Sequence, residues 1–388
     1  MTLRVLLVAG EASGDLHGAA LVEQLRRRRP DLEVVGIGGP RLRAAGMRVL
    51  VDTEHVATMG FTETFGTLGR LVAAYRTLVR RLDEARPDLV VLVDYPEFNL
   101  RLAKQAKRRG IPVFYFIAPQ VWAWRKGRIR TIAERVDKLA AVFPFEPGVY
   151  NNRNGQTLAE FVGHPLLDVV TATRSREETR ARYGIAADRP LLALLPGSRK
   201  KEVDLLFRTM CDAAARLAPD GWQTIAALAE SLAPADLEAA LAGGAIPVPV
   251  AHNDTYNVVA AADAAIVASG TATVETALLG CPMVIVYRVS PLTFWIARRL
   301  VDVPWIGMPN IILKRQVFPE LLQDDVTPAA LADAVRDVHR RHGEVVAAIA
   351  ELRAALGTPG AASRAADLAL TLIPDPQMNT NPNPAPRQ

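Results

Sequence analysis

Four short stretches of this 388-residue chain combine small residues with groups able to hold an anion or move a proton. In "VASGTATVETALLG", residues 267–280, an apolar run ends at Ser269-Gly270-Thr271 and a helical pattern follows through Ala272, with Glu275 one turn in. A strand-to-helix junction of this kind exposes free N–H groups and the positive end of the helix dipole, which suits a phosphate. Glycine lets an anion approach the backbone, Ser269 and Thr271 add hydroxyl donors, and Glu275 could accept hydrogen bonds from a ribose diol. An ordinary helix cap would use the same residues. "LALLPGSRKKEV" repeats the arrangement: Pro196-Gly197-Ser198 opens a loop, Arg199 projects from it, and a helix begins near Lys201. A guanidinium there could neutralise a diphosphate leaving group. As a mere surface residue it would sit unfavourably against the helix dipole. Two anion seats in one half of the chain suggest a nucleotide.

"VVLVDYPEFN" differs, because Asp94 ends a fully apolar run and Tyr95-Pro96 stops it. A partly desolvated carboxylate at a strand's carboxyl end can accept a proton near neutral pH, which makes Asp94 the candidate general base. Capping the following loop is its other reading, and Glu97 is the nearest rival. "VAGEASGDLHG" places Gly10, Ser13, Gly14 and Asp15 before a helix. It is neither a Walker A loop nor a dinucleotide fingerprint, and it reads as a turn lining the acceptor cleft, with Asp15 a base or a helix cap. "APQVWAWRKGRIRTI" sets Gln120, Trp122 and Trp124 beside Arg125, Lys126, Arg128 and Arg130. Indoles next to cations fit a sugar-stacking platform, a membrane interface or a core corner. Met59, Phe61, Phe65, Leu68, Val72, Tyr75, Val79 and Leu82 follow a helical stripe flanked by arginines. Such a stripe is core in most helices, and it would also suit acyl chains or an interfacial helix.

The elements that must position these groups are short Val/Leu/Ile runs alternating with helical stretches, as in "RVLLVAG", "DLVVLVDY", "LLALLPGSR" and "AAIVASG". That alternation predicts an α/β chain of parallel strands with crossover helices, in two doubly wound halves. Ligands of such sheets bind beyond the carboxyl ends of the strands, here expected in the cleft between the halves. The expected domains are 1–166, a connection over 167–187 where the sequence is charged and lacks strand signals, and 188–345. An Ala-rich helix covers 346–373, which by analogy with similar tails could return to the first domain, and a Pro/Asn-rich tail over 374–388 should be disordered.

Composition narrows the class. Half the residues are apolar, enough for a sizeable core, and no run reaches the roughly 20 apolar residues of a spanning helix. The first apolar run reads as a strand rather than a leader, and Cys211 and Cys281 have neither disulfide nor zinc spacing, which fits a reducing cytoplasm. The net charge is +5, carried overwhelmingly by arginine, so an anionic partner is expected. Nucleic-acid motifs are absent, leaving solvated helix ends or an anionic membrane surface.

Several of these blocks taken together are specific. "AGEASGD", "GGPRL", "MGFTE", "DYPEFN", "PQVWAWR", "FPFE", "FVGHPL", "LLPGSRKKEV", "SGTATVE", "PMVIVYR" and "MPNIILKR" stand in the order seen in the lipid-A-disaccharide synthase family, and the chain resembles it over about residues 3 to 335. The resemblance implies a GT-B glycosyltransferase with two Rossmann-like halves, the second binding the donor nucleotide. It implies inverting transfer of a diacylglucosamine unit from UDP-2,3-diacylglucosamine to 2,3-diacylglucosamine 1-phosphate (lipid X), with release of UDP. It also implies peripheral association with the inner face of the cytoplasmic membrane, and a homodimer is compatible with it. The family's essential aspartate falls on Asp94 and its "PGSR" arginine on Arg199. Gly197, Ser198, Ser269, Gly270, Thr271, Ala272 and Glu275 match the nucleotide turns, while Asn310 and Arg315 match polar positions of the "PN" segment. Neither a cofactor nor a metal is implied, since the paired anion seats could replace a metal ion. The competing expectations are a related GT-B enzyme on another UDP-sugar, such as a UDP-N-acetylglucosamine epimerase or a lipid-linked transferase, and a non-catalytic membrane-associated nucleotide-sugar-binding protein.

Overall fold

Val, Leu and Ile runs with almost no polar interruption become strands buried on both faces, the environment of a parallel sheet covered by helices. In the computed structural model, which describes residues 2–53, 65–124, 127–151, 157–241, 245–290, 293–295 and 303–373, those runs build two separate sheets. The first unit comprises residues 1–165 and 358–388, the second 166–357.

In the first unit the strands are β1 (Arg4–Ala9), β2 (Glu33–Gly38), β3 (Arg48–Asp52), β4 (Leu89–Val93), β5 (Val113–Phe116), β6 (Lys138–Ala141) and β7 (Ala159–Phe161). They pair in parallel in the order β3-β2-β1-β4-β5-β6-β7. In the second unit β8 (Leu191–Leu195), β9 (Gln223–Leu228), β10 (Val250–His252), β11 (Ala264–Ala268), β12 (Met283–Tyr287) and β13 (Glu320–Leu322) pair in parallel as β10-β9-β8-β11-β12-β13. Each sheet therefore reverses its winding once, between β1 and β4 in the first and between β8 and β11 in the second. Beyond the carboxyl ends of the strands at such a reversal, neighbouring loops part and leave a crevice for ligand.

Two expected boundaries are corrected. The stretch 167–187 belongs to the second unit, and its charge serves internal pairing. Arg180 is 2 % exposed, bonds the carbonyls of Ala261, Ala186, Ala187 and Arg189, and pairs with Asp263. The helix expected over 346–373 is two helices, His342–Ala355 in the second unit and Ala361–Leu370 in the first. Gly357 and Gly360, both at positive φ and flanking Thr358-Pro359, break it. The last helix packs on the helix Ala12–Arg28, where Arg28 makes a two-point ion pair with Asp367 (2.5 and 2.9 Å) and also donates to Ser363. Arg364 bonds the carbonyls of Val162, Thr358 and Pro359. The tail expected over 374–388 lies outside the described residues.

Candidate active site

The four stretches singled out by their chemistry follow β1, β4, β8 and β11, the strands that border the reversals of the two sheets. In the first sheet Ala9 lies beside Val93, so Gly10 and Asp94 leave adjacent strands at one level. In the second Val267 lies beside Leu195, which brings the turns at Ser269 and Gly197 out together.

Asp94 and Tyr95 are both left-handed (φ 45° and 51°), two strained non-glycine residues in succession. The turn is pinned through the Asp94 carbonyl, which accepts from the Tyr115 hydroxyl at 2.5 Å and from Asn99 Nδ2 at 2.6 Å. Tyr95 stacks on Phe98, and a Cβ on Gly10 would stand 2.4 Å from the Tyr95 ring, so only glycine fits there. The side chain of Asp94 is left half-buried, and no cation pairs with it among the described residues. Burial, and then the like charge of Glu11 across the strand ends, raise its pKa to about 6, while a hydrogen bond from the Tyr95 backbone pulls the other way. The rival carboxylate, Glu97, is paired with Arg128 at 2.5 Å.

The first-half candidates around Asp94 divide. Asp15 is 3 % exposed, and its carboxylate accepts from the backbone N–H groups of Gly39 (2.6 Å), Arg41 (2.9 Å) and Leu42 (3.1 Å). It caps the short helix Pro40–Ala44 from 24 residues upstream, which is the helix-cap reading of Asp15 rather than that of a base. Gly14 is buried against Ala9, whereas Ser13 is exposed in the first turn of the helix Ala12–Arg28, which has no side-chain cap. Gln120 is exposed. Trp122 is buried, and its indole donates to Glu146 at 3.3 Å, so it forms a core corner rather than a stacking platform. Burial pushes the Glu146 carboxyl up to about 7, against hydrogen bonds from Phe143 N, Trp122 and Val142 N. The side chain of Trp124 lies outside the described residues, as do Met59, Phe61 and the side chains of Phe65 and Leu68. In the described part of that stripe, Leu78 and Leu82 are buried in the core with Tyr75 and Val79 against them, while Val72 is 39 % exposed.

In the second unit the two anion seats differ. The helix Thr271–Leu278 opens at Gly270 with no side-chain cap; Thr271 is exposed, Ala272 half-buried, and the Thr273 N–H bonds the Gly270 carbonyl at 3.1 Å, so the N–H groups of Thr271 and Ala272 are the ones open to an anion. Ser269 Oγ reaches the carbonyl of Ile306 at 3.4 Å. The PGSR loop, by contrast, holds a carboxylate of its own: Glu202 Oε2 accepts from Ser198 N (2.9 Å) and Arg199 N (3.3 Å), and Oε1 from Arg199 Nη1 (3.3 Å). Gly197, at φ 119°, makes room for that side chain, since a Cβ there would lie 2.2 Å from Glu202. The Arg199 side chain remains 75 % exposed and able to reach a further anion. Glu275 is half-buried, its pKa raised by burial and held back by the Tyr256 hydroxyl, which donates to Oε1 at 2.9 Å.

Asn310 and Arg315, expected at polar positions of the nucleotide site, are both engaged within the second unit. Asn310 is wholly buried, with Nδ2 on Phe318 O and Glu320 Oε1 and Oδ1 accepting from Val317 N and Phe318 N. Its amide is committed to bracing that loop. Arg315 is paired at two points with Glu351, at 2.5 and 2.9 Å. Sequence reasoning missed Glu202, Tyr256 and Glu11, whose roles depend on where side chains turn; only the Arg199–Glu202 spacing, that of a capping box, carried a signal.

Residues 5–345 match the family described as Lipid-A-disaccharide synthetase. Lipid-A-disaccharide synthase of Syntrophus aciditrophicus (strain SB) is 46 % identical over 375 residues, covering 95 % of this chain and 97 % of that relative. The synthase of Coxiella burnetii (strain Dugway 5J108-111) is 40 % identical over 374 residues, covering 95 % and 98 %. Among solved structures, the kitacinnamycin glycosyltransferase superposes with TM-score 0.64 at 15 % identity over 96 % of this chain and all of that one. UDP-GlcNAc 2-epimerase from Neisseria meningitidis gives 0.61 at 12 % identity, covering 95 % and 99 %. These structural likenesses carry the fold alone, which is the GT-B type.

Proposed function

The chain belongs to the lipid-A-disaccharide synthase family and is a glycosyltransferase, and from that premise we propose that it joins UDP-2,3-diacylglucosamine to lipid X with inversion, releasing UDP. The observation that carries the reading is Asp94: a half-buried carboxylate in a strained turn at the reversal of the first sheet, with a pKa of about 6. Such a group is ionised at neutral pH yet basic enough to take the proton of the attacking sugar hydroxyl. The leaving diphosphate meets the open first turn of the helix Thr271–Leu278 and the guanidinium of Arg199, with Gly197 and Ser198 shaping the loop that aims it. Glu275 accepts from the ribose hydroxyls. The acyl chains and the inner-membrane surface are met by the stripe from Met59 to Val72 with its arginine flank. No helix among the described residues is long and apolar enough to cross a membrane.

The test is UDP release from UDP-2,3-diacylglucosamine, with and without lipid X, in the wild type, Asp94→Asn and Arg199→Met. Release should require the acceptor, and each variant should lose roughly 10²–10⁴-fold in turnover. Acceptor-independent turnover of the donor would favour an epimerase, and full activity in Asp94→Asn would remove the base assignment.

A further inference from the structure

The start of the helix Thr255–Ala261 is fixed with unusual thoroughness for a seven-residue element. Asp254 is paired with Arg174 and accepts from the Tyr183 hydroxyl at 2.7 Å and from Asn257 Nδ2 at 2.7 Å. Asn257 Oδ1 in turn accepts from Thr173 N (2.8 Å) and Arg174 N (2.9 Å). Both residues point back into the 173–183 segment and hold the helix from one side. Tyr256, between them, points elsewhere, to the carboxylate of Glu275 in the first turns of the helix Thr271–Leu278. A phenol keeps its oxygen on the ring axis, so with the helix anchored the position of the hydroxyl is set by the side-chain rotamer, and in this one it meets Glu275 Oε1 at 2.9 Å. The neighbouring helix carries the open N–H groups assigned above to the diphosphate.

We propose that Tyr256 is a positioning residue for the nucleotide: its hydroxyl occupies one lone pair of Glu275 and turns the remaining carboxylate acceptors toward a ribose diol. This rests on the reading of Glu275 as the ribose acceptor. A carboxylate in a half-buried site has several rotamers, and one charge-assisted hydrogen bond selects among them before the ligand arrives. The ligand class is a nucleoside diphosphate with both ribose hydroxyls present.

The full chain binds two probes in the test, UDP and 2′,3′-dideoxyuridine diphosphate, titrated by calorimetry against the wild type, Tyr256→Phe, Glu275→Gln and the double variant. Tyr256→Phe keeps the ring and loses only the hydroxyl. We expect it to weaken UDP roughly three- to tenfold, the net size of one ordinary hydrogen bond, and to leave the dideoxy compound unchanged. Turnover should show the loss in KM for the donor rather than in kcat, and in the double variant Tyr256→Phe should add almost nothing. Equal weakening of both nucleotides overturns the proposal, because the hydroxyl would then act on the fold and not on the diol. If Glu275→Gln weakens UDP while Tyr256→Phe does not, the positioning role falls and the ribose assignment stands. If Glu275→Gln leaves UDP binding intact, both fall together.

Discussion

Replacing Asp94 with Asn should cut turnover by the roughly 10²–10⁴-fold given above and stabilise the protein, and the stabilisation should depend on pH. The folded carboxyl titrates at about 6 against 3.8 for an unperturbed aspartate, with burial the larger cause and Glu11 the second. That gap corresponds to about 3 kcal/mol of unfavourable free energy in the ionised folded state, which solvent around a half-buried group trims to about 1–3 kcal/mol. The sign follows from linkage. Below pH about 4 the carboxyl is protonated folded and unfolded alike, and its full contribution to stability is present; as pH rises through about 6 that contribution is lost. Asparagine stays neutral throughout. Urea unfolding of the two full-length proteins at pH 4 and pH 7.5 should therefore give a difference that is larger at pH 7.5 by about 1–3 kcal/mol, while any effect of asparagine on the left-handed turn cancels between the two pH values. An equal gain at both pH values, or none at pH 7.5, would refute the account of how burial and Glu11 set this group. A carboxylate held at a cost to stability is the trade expected of a residue kept for function.

Two further outcomes follow from the same strand ends. Asp15→Ala leaves two buried N–H groups and one part-buried one without their acceptor and should lower stability by about 2–4 kcal/mol in urea unfolding, with Asp15→Asn recovering part of it and the KM of the folded fraction unchanged. Gly10→Ala places a methyl 2.4 Å from the Tyr95 ring and must shift the turn that carries Asp94. Its kcat should fall at least about tenfold while UDP affinity, measured by calorimetry, stays near that of the wild type.

The strands and the four turns were legible because the evidence for them is local: near-continuous Val/Leu/Ile runs cut short at Gly10, Asp94, Pro196 and Ser269. Strand order was not, since a run such as "VVLVDY" carries no mark of its neighbour; that Asp94 and Gly10 share a level emerges only from the pairing of β1 with β4. Long-range side-chain partners were equally invisible. The three donors that Asp15 caps lie 24 to 27 residues on, and the four bonds of Asn310 close a loop that the sequence does not announce. In sequence the charge of 167–187 resembles a linker's, whereas Arg180 is buried among carbonyls. The helix break at Gly357-Thr358-Pro359-Gly360, in contrast, stood in plain view and was outweighed by the alanine content around it.

The return of the helix Ala361–Leu370 to the first unit bears on how the chain is made. Its partner surface on the helix Ala12–Arg28 emerges from the ribosome early and must wait, uncovered, while nearly two hundred residues of the second unit are synthesised. The second unit, continuous from Leu166 to Gly357, can finish folding first; the half that carries Asp94 is completed last, when Asp367 arrives to meet Arg28. A chain cut short near residue 357 would keep every residue assigned to chemistry and still lack the piece that closes its first unit.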